Sequence, residues 1–194
     1  MIKVPDVYQI KVELKGISPS IWRRLLLPDD LFLHDLHKII QTAMGWENMH
    51  LHEFVKNGRT FGPSDDENES SKNFIDYTSV RLKDILKSTG ESFQYIYDFG
   101  DYWVHDIILE DILSPDNSGY YPVCIDGERN CPPEDCGGAP GYKELLKVIN
   151  LPGHPDREAL LDWLDADWEA EEFDIEYTNG LLLEDDFGCL PLID

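Results

Sequence analysis

A period-two alternation of apolar and polar residues constrains the fold of this chain more than any other feature. Residues 8–14 place an apolar side chain at every second position, and residues 93–97 repeat the pattern with aromatic side chains. Such alternation is typical of strands with one buried face, and Asn57-Gly58 is a strong hairpin signal. After residue 140 the apolar spacing favours helices. An earlier helix is expected to be capped by Asp29-Asp30 and to end at Gly45, and the prolines and glycines of residues 121–138 predict an irregular segment. We therefore expect an α+β fold, with an antiparallel sheet of about four to six strands and helices packed on one face.

Length and charge limit the organisation and the partners. The 194 residues suit a single α+β domain over 1–194, in which residues 140–194 are mostly helical and acidic. The chain has 39 acidic against 16 basic residues, a formal charge of −23. Phosphate binding relies on Lys and Arg, so direct binding to duplex DNA is not expected. Residues 156–194, with 14 acidic residues and one basic, form either a solvated helical tail or a surface for a basic partner.

The chain also lacks the signals of membrane or secreted proteins. No apolar run approaches the roughly 18 residues that span a bilayer, and residues 1–6 do not follow the signal-peptide pattern. We expect a cytoplasmic protein without a membrane partner. In that compartment four cysteines do not indicate a disulfide framework.

The first candidate site is the polar turn at residues 98–106. Asp98 and Asp101 flank the turn, and His105 follows on the outgoing strand. Carboxylates and imidazole are ligands of divalent ions, and Asp101 is also spaced to orient His105 as a general base. The alternative is structural, because Asp and Gly favour turns and a histidine beside Trp103 is commonly a packed residue.

The second candidate is His50-Leu51-His52. If this segment is a strand, both imidazoles lie on one face with Cα atoms about 6.5–7 Å apart, which suits two ligands of one metal ion such as zinc. The pattern is common and unspecific.

The third candidate is the cysteine-rich segment that ends in Gly137-Gly138. Cys131 and Cys136 have a spacing close to that of zinc ligands, and Cys124 does not. A zinc site would need a fourth ligand, available from His50, His52, His105 or Cys189. Alternatively the prolines make a stiff loop that presents Glu134 and Asp135, or the thiols only pack.

Several stretches together resemble one known family. They are Ile21-Trp22-Arg23-Arg24, Leu36-His37-Lys38-Ile39-Ile40-Gln41 with Gly45-Trp46, His50-Leu51-His52-Glu53-Phe54, Tyr97-Asp98-Phe99-Gly100-Asp101-Tyr102-Trp103-Val104-His105 and Cys131-Pro132-Pro133-Glu134-Asp135-Cys136-Gly137-Gly138. Their order and spacing over about residues 7–183 resemble the family named after the third open reading frame of a root-inducing (Ri) plasmid.

The resemblance implies a compact α+β domain, a passenger protein of mobile elements and no established activity. The carboxylates and histidine of the first and third candidates fit the shared pattern, namely Asp98, Asp101, His105, Glu134 and Asp135. The position of Cys136 can hold a small aliphatic residue in this family, which weakens its role as a metal ligand.

Three functional hypotheses follow. The first is a non-enzymatic accessory module that binds a protein or a small polar ligand. The second is a metal-dependent hydrolase of phosphoester or nucleotide substrates, with Asp135 as base or outer-sphere group and the ion held by Asp98, Asp101, His105 and Glu134. The third is a zinc-stapled domain held by Cys124, Cys131, Cys136 and one histidine.

Overall fold

The alternating segments pair into one mixed sheet in the computed structural model, which describes residues 4–64, 73–115, 119–164 and 168–192. The strands are β1 (Val7–Leu14), β2 (Trp22–Pro28), β3 (His52–Lys56), β4 (Arg59–Gly62), β5 (Phe74–Asp76), β6 (Ser92–Tyr97), β7 (Trp103–Leu113) and β8 (Val123–Glu128). Their order is β5-β4-β3-β6-β7-β1-β2-β8. All neighbours pair antiparallel except β4 and β5, which are parallel.

The predicted number of four to six strands was wrong, because the described sheet has eight. The expectation that residues 121–138 are irregular missed β8, and β5 has only three residues. Neither segment alternates clearly in apolar and polar residues. Each is a strand because it pairs with a neighbour, β8 with β2 and β5 with β4, and such pairing over long sequence separations is not visible in a local pattern.

The described residues also form five α-helices and two 3-10 turns. The helices are α1 (Leu33–Met44), α2 (Leu82–Ile85), α3 (Gly138–Ile149), α4 (Arg157–Trp163) and α5 (Ile175–Leu181), and the turns are Tyr77–Ser79 and Asp185–Gly188. Helix α1 ends as predicted at Gly45, which adopts a left-handed φ of 94°. The expected cap at Asp29-Asp30 was wrong, because the N-cap position is Phe32.

One face of the sheet carries the core. The alternating apolar residues of β1 and β7 are buried in the same hydrophobic cluster as α1, whose Leu36, Ile39 and Ile40 are 0 % exposed. On the opposite face, Arg24 contacts Glu110 at 2.6 Å and Asp126 at 2.7 Å. This division into a packed and a polar face explains the period-two pattern.

The helices give no sign of a membrane-spanning segment. Within the described ranges, none combines the length and the apolar character needed to cross a bilayer.

A candidate metal centre between two turns

The turn between β6 and β7 holds Asp98 in one orientation. Asp98 has a positive φ of 56°, and its Oδ1 accepts a hydrogen bond of 2.8 Å from the N–H of Gly100. Its own N–H donates to the carbonyl of Leu51 at 2.9 Å, which ties the turn to the segment that precedes β3. The Asp98 side chain is only 8 % exposed. These contacts fix a buried carboxylate at the end of the sheet.

The loop at residues 132–138 packs against this turn. The N–H of Gly137 donates a hydrogen bond of 2.9 Å to Oδ2 of Asp101. At Gly138, where φ is +65°, a Cβ would lie 2.5 Å from the carbonyl oxygen of Asp101, so the approach requires glycine. Asp101 therefore positions the loop, and the two turns that carry the predicted carboxylates meet.

His50 lies at the centre of the junction. Its Nε2 is 3.1 Å from Oδ1 of Asp135, 3.8 Å from Oδ2 of Asp98 and 3.9 Å from Oε2 of Glu134. Within the part of the chain that the structure describes, neither Nε2 of His50 nor Oε2 of Glu134 has a hydrogen-bond partner, although both atoms are buried. Three separate segments thus bring their side chains together: one supplies the imidazole of His50, and the other two supply carboxylates.

The spacing of these atoms fits a metal ion. The ligand atoms of His50, Asp98 and Asp135 all lie within 4.8 Å of one another. Zinc binds nitrogen and oxygen ligands at about 2.0–2.2 Å, so two ligands of one ion are separated by roughly 3–4 Å. The distances of 3.1 and 3.8 Å from Nε2 of His50 to the carboxylates of Asp135 and Asp98 lie in this range. The cluster also mixes imidazole with carboxylate, as divalent transition metals accept.

Glu134 is held by the edge of the core. Its Oε1 accepts hydrogen bonds from the Tyr97 hydroxyl at 2.8 Å and from the N–H of Glu47 at 2.9 Å. Burial raises the pKa of Glu134, and these hydrogen bonds partly offset the effect. Burial and the neighbouring Glu134 carboxylate also raise the pKa of Tyr97, which therefore acts as a neutral donor.

The site has a surplus of negative charge. Among the described residues, the carboxylates of Asp98, Glu134 and Asp135 lie within 4 Å of Nε2 of His50, which is a cation only when protonated, and none of them pairs with Lys or Arg. Carboxylates gathered without cationic side chains attract a metal cation.

The structure separates His52 from His50. Strand β3 begins at His52, so the expectation that both imidazoles share a strand face was wrong. The ring of His52 stacks on His37 with centroids 3.5 Å apart and an interplanar angle of 2°. Its Nε2 is 3.0 Å from the Tyr77 hydroxyl. His50 precedes the strand, which leaves its ring able to turn toward the carboxylates.

His105 does not join the cluster either. It is 0 % exposed, and neither ring nitrogen has a hydrogen-bond partner in the described chain. Its ring packs in the core beside Tyr95 and Trp46, at centroid distances of 5.4 and 6.4 Å. Burial lowers the pKa of His105 to about 4, so the ring is neutral near pH 7. In the described structure Asp101 does not orient His105 as predicted. Its Oδ2 instead accepts a hydrogen bond from the N–H of Gly137.

The cysteines form no comparable group. Across the described residues, only His50, Asp98 and Asp135 bring three potential ligand atoms within 4.8 Å. Cys124 and Cys131 are buried, and the Cys124 thiol donates to the Asp126 carbonyl at 3.4 Å. Burial raises the pKa of Cys131 well above its usual range and that of Cys136 to about 12. The thiol groups are therefore protonated packing residues in this structure.

Sequence reasoning missed Tyr97 and grouped His50 with the cysteines. The available signal was the position of Tyr97 at the end of an alternating strand, immediately before Asp98. An inward-facing tyrosine there needs a partner for its hydroxyl group, and Glu134 provides it.

Comparisons with known proteins agree with the fold. A sequence profile of the plasmid pRiA4b ORF-3-like protein family matches residues 6–177. The chain is 37% identical over 178 residues to "Uncharacterized protein y4hQ" of Sinorhizobium fredii (strain NBRC 101917 / NGR234), covering 91% of this chain and 90% of that protein. It is also similar to the crystal structure of the protein of unknown function MM3350 from Methanosarcina mazei Go1. The identity is 35% with a TM-score of 0.83, over 90% of this chain and 98% of that one.

Neither relative's description names an activity, as the resemblance implied. The profile covers most of the chain, and both relatives align along nearly their whole length. This chain therefore belongs to the plasmid pRiA4b ORF-3-like protein family.

Proposed function

We propose that this protein is a metal-dependent hydrolase whose divalent ion is held by His50, Asp98 and Asp135. The observation that supports the proposal is the unpartnered Nε2 of His50, which faces carboxylates from two other segments without any Lys or Arg among the described ion pairs. With a neutral His50 and no metal ion, this arrangement gathers carboxylates around a buried nitrogen that makes no hydrogen bond within the described residues.

The number of ligands favours a catalytic site over a structural one. Structural zinc sites are closed by four protein ligands, whereas catalytic sites use three and keep a position for water or substrate. An ion in such a site lowers the pKa of bound water and polarises a carbonyl or phosphoryl oxygen. His50, Asp98 and Asp135 supply three ligands, and the Asp135 side chain is 64% exposed, so the site is open to solvent.

Glu134 is placed to act as the general base. Its Oε1 is fixed by Tyr97 and by the backbone of Glu47. Its Oε2 has no hydrogen-bond partner in the described chain and lies 3.9 Å from Nε2 of His50. A carboxylate held by one oxygen, with the other directed at the ligands, can accept a proton from water at the site.

Metal binding is tested on the full chain. The protein is stripped of metal and titrated with zinc and with manganese by isothermal titration calorimetry. We expect one site, and we expect Asp98→Asn and Asp135→Asn to weaken it by at least about 100-fold, since each removes a charged ligand. Asp111→Asn is the matched control, because that exposed carboxylate accepts a hydrogen bond from the N–H of Ile112 and is not part of the cluster. Equal affinity in all four proteins would contradict the proposal.

Melting of the metal-stripped protein distinguishes the open three-ligand site from a zinc site held by the cysteines. A structural zinc contributes roughly 10–16 kcal/mol of apparent binding energy, so its removal would unfold the domain. We expect the stripped protein to keep a cooperative melting transition, and Cys136→Ala to bind zinc as tightly as the wild type. Unfolding on metal removal would favour the cysteine site.

Catalysis is tested with Glu134→Gln. This variant should still bind zinc but should hydrolyse p-nitrophenyl esters about 10²- to 10⁴-fold more slowly than the wild type, since it lacks the base. Turnover equal to that of the wild type would remove Glu134 from the mechanism.

A binding module without catalysis is the second candidate. Helix α4 supports it, because no residue of that helix is buried and Trp163 remains 49% exposed. Its acidic surroundings would suit a basic protein partner. A pull-down at low and high salt tests this function, since contacts between exposed charges weaken as salt rises.

A further inference from the structure

Two clefts adjoin the candidate metal centre. The first has a volume of 290 Å³ and is lined in part by Glu47, Glu134 and Asp135. The second is a groove of 500 Å³ between α3 and α4. Asp135 and Trp163 line both, so the proposed ligand Asp135 stands where the two clefts meet.

The groove is apolar along most of its length. Its lining includes Leu145, Val148, Leu160 and Trp163. Besides Asp135, its acidic side chain is Glu144, whose charge is paired with Lys147 at 2.9 Å. A groove of this composition accepts an uncharged hydrocarbon segment and offers little to a polar one.

The charges around the clefts disfavour phosphate substrates. No Lys or Arg is among the described residues that line either cleft. Proteins bind phosphoryl groups chiefly through Arg and Lys, and here Glu47, Glu134 and Asp135 would repel such a group. A carbonyl group needs no cationic side chain besides the ion, so acyl compounds fit these surroundings better than phosphoesters.

We infer that the substrate is a carboxylic ester or amide whose apolar acyl chain lies in the groove between α3 and α4, an inference that rests on the proposed metal site. In the reaction a water molecule adds to the acyl carbon and gives a proton to Glu134. The bond from the acyl carbon to the leaving oxygen or nitrogen breaks, and that atom takes up the proton. One water is consumed, and one carboxylic acid and one alcohol or amine are formed.

Binding of two hydroxamates to the zinc-loaded full chain tests this inference without turnover. Acetohydroxamate and octanohydroxamate share a metal-binding head and differ only in chain length. A fully buried methylene contributes roughly fourfold in affinity. Since the groove is partly open, we expect octanohydroxamate to bind at least about tenfold more tightly, as measured by calorimetry.

Two variants of α4 test whether the hydrocarbon chain of octanohydroxamate lies in the groove. Leu160 lines the groove, whereas Leu161 is 40% exposed and lines a different cleft. Leu160→Asn should reduce the advantage of octanohydroxamate to below threefold and leave acetohydroxamate unaffected. Leu161→Asn should leave both affinities as in the wild type.

The outcomes separate the two proposals. If zinc does not bind, the metal site and this inference both fail. If zinc binds but the two hydroxamates bind equally, the acyl-chain inference fails and the metal site stands. Faster hydrolysis of bis(p-nitrophenyl) phosphate than of p-nitrophenyl octanoate would overturn the acyl substrate class.

Discussion

The hydroxyl group of Tyr97 donates a hydrogen bond of 2.8 Å to Oε1 of Glu134 and accepts one of 2.9 Å from the N–H of Met49. Tyr97 is the last residue of β6 and is 0% exposed. One phenol therefore links the core sheet to the loop before α3 and to the segment that carries His50. The candidate base is thus positioned by a fully buried side chain of the sheet.

Tyr97→Phe removes this link without emptying the core. The buried Glu134 loses one donor and the N–H of Met49 loses its acceptor, so the free energy of unfolding should fall by about 1–3 kcal/mol. Zinc affinity should also fall, because Glu134 and the adjacent Asp135 become less well positioned. Urea unfolding and calorimetry measure the two effects. Tyr102→Phe, at a hydroxyl in the exposed part of the same hairpin, should change neither quantity.

Gly138→Ala tests the contact between the two turns. Its Cβ would lie 2.5 Å from the Asp101 carbonyl at a positive φ, so the loop must move away from the turn. We expect a loss of stability larger than the roughly 1–2 kcal/mol of the backbone conformation alone and a strong loss of zinc binding.

Gly90→Ala is the matched control, because Gly90 also has a positive φ, of 88°, but its Cβ would meet nothing within 4 Å. Gly90→Ala should lose only the stability that the backbone conformation costs, and it should bind zinc as tightly as the wild type. Equal effects of the two substitutions would argue against the close approach.

His105 predicts a pH dependence of stability. Its pKa in the folded protein is about 4, below the usual value of 6.5, so the unfolded chain binds the extra proton between these values. Stability is therefore lost as the pH falls from 6.5 toward 4, by up to about 1.4 kcal/mol per pH unit from this residue.

His105→Leu keeps a similar volume and removes both ring nitrogens, which have no hydrogen-bond partner among the described residues. At pH 7 the variant should be as stable as the wild type or more stable, and its stability should fall less steeply between pH 6.5 and pH 4. Urea unfolding at several pH values gives both slopes. Parallel curves for the two proteins would show that His105 is not the titrating group.

Asn179 protects an edge of the sheet. Its Oδ1 accepts a hydrogen bond of 2.7 Å from the N–H of Cys124, and its Nδ2 donates one of 2.8 Å to the Cys124 carbonyl. The side-chain amide thus replaces a neighbouring strand on the free side of β8. Asn179→Ala should lower stability by about 1–2 kcal/mol and speed hydrogen exchange at Cys124. Glu176→Ala, at an exposed position of α5, should do neither.

Part of this architecture is readable in the sequence. The alternation in residues 8–14 and 93–97 predicted β1 and β6 and the buried face of each, because a strand places successive side chains on opposite sides. Gly45 marked the end of α1, since it is in a conformation that few other residues adopt. The polar turn and the proline-rich loop were recognisable because Asp, Gly and Pro favour turns. Such signals are local, and the chain carries them before it folds.

The assembly of the site was decided by tertiary structure alone. Whether His50 accompanies His52, the cysteines or the carboxylates depends on where β3 begins and on how the loop at residues 132–138 packs on the turn of Asp98. Those positions follow from strand pairing and from the Tyr97–Glu134 hydrogen bond, which join residues 37 apart. Sequence patterns report on neighbours within a few residues, whereas a metal site depends on distances between segments that only the packed core brings together.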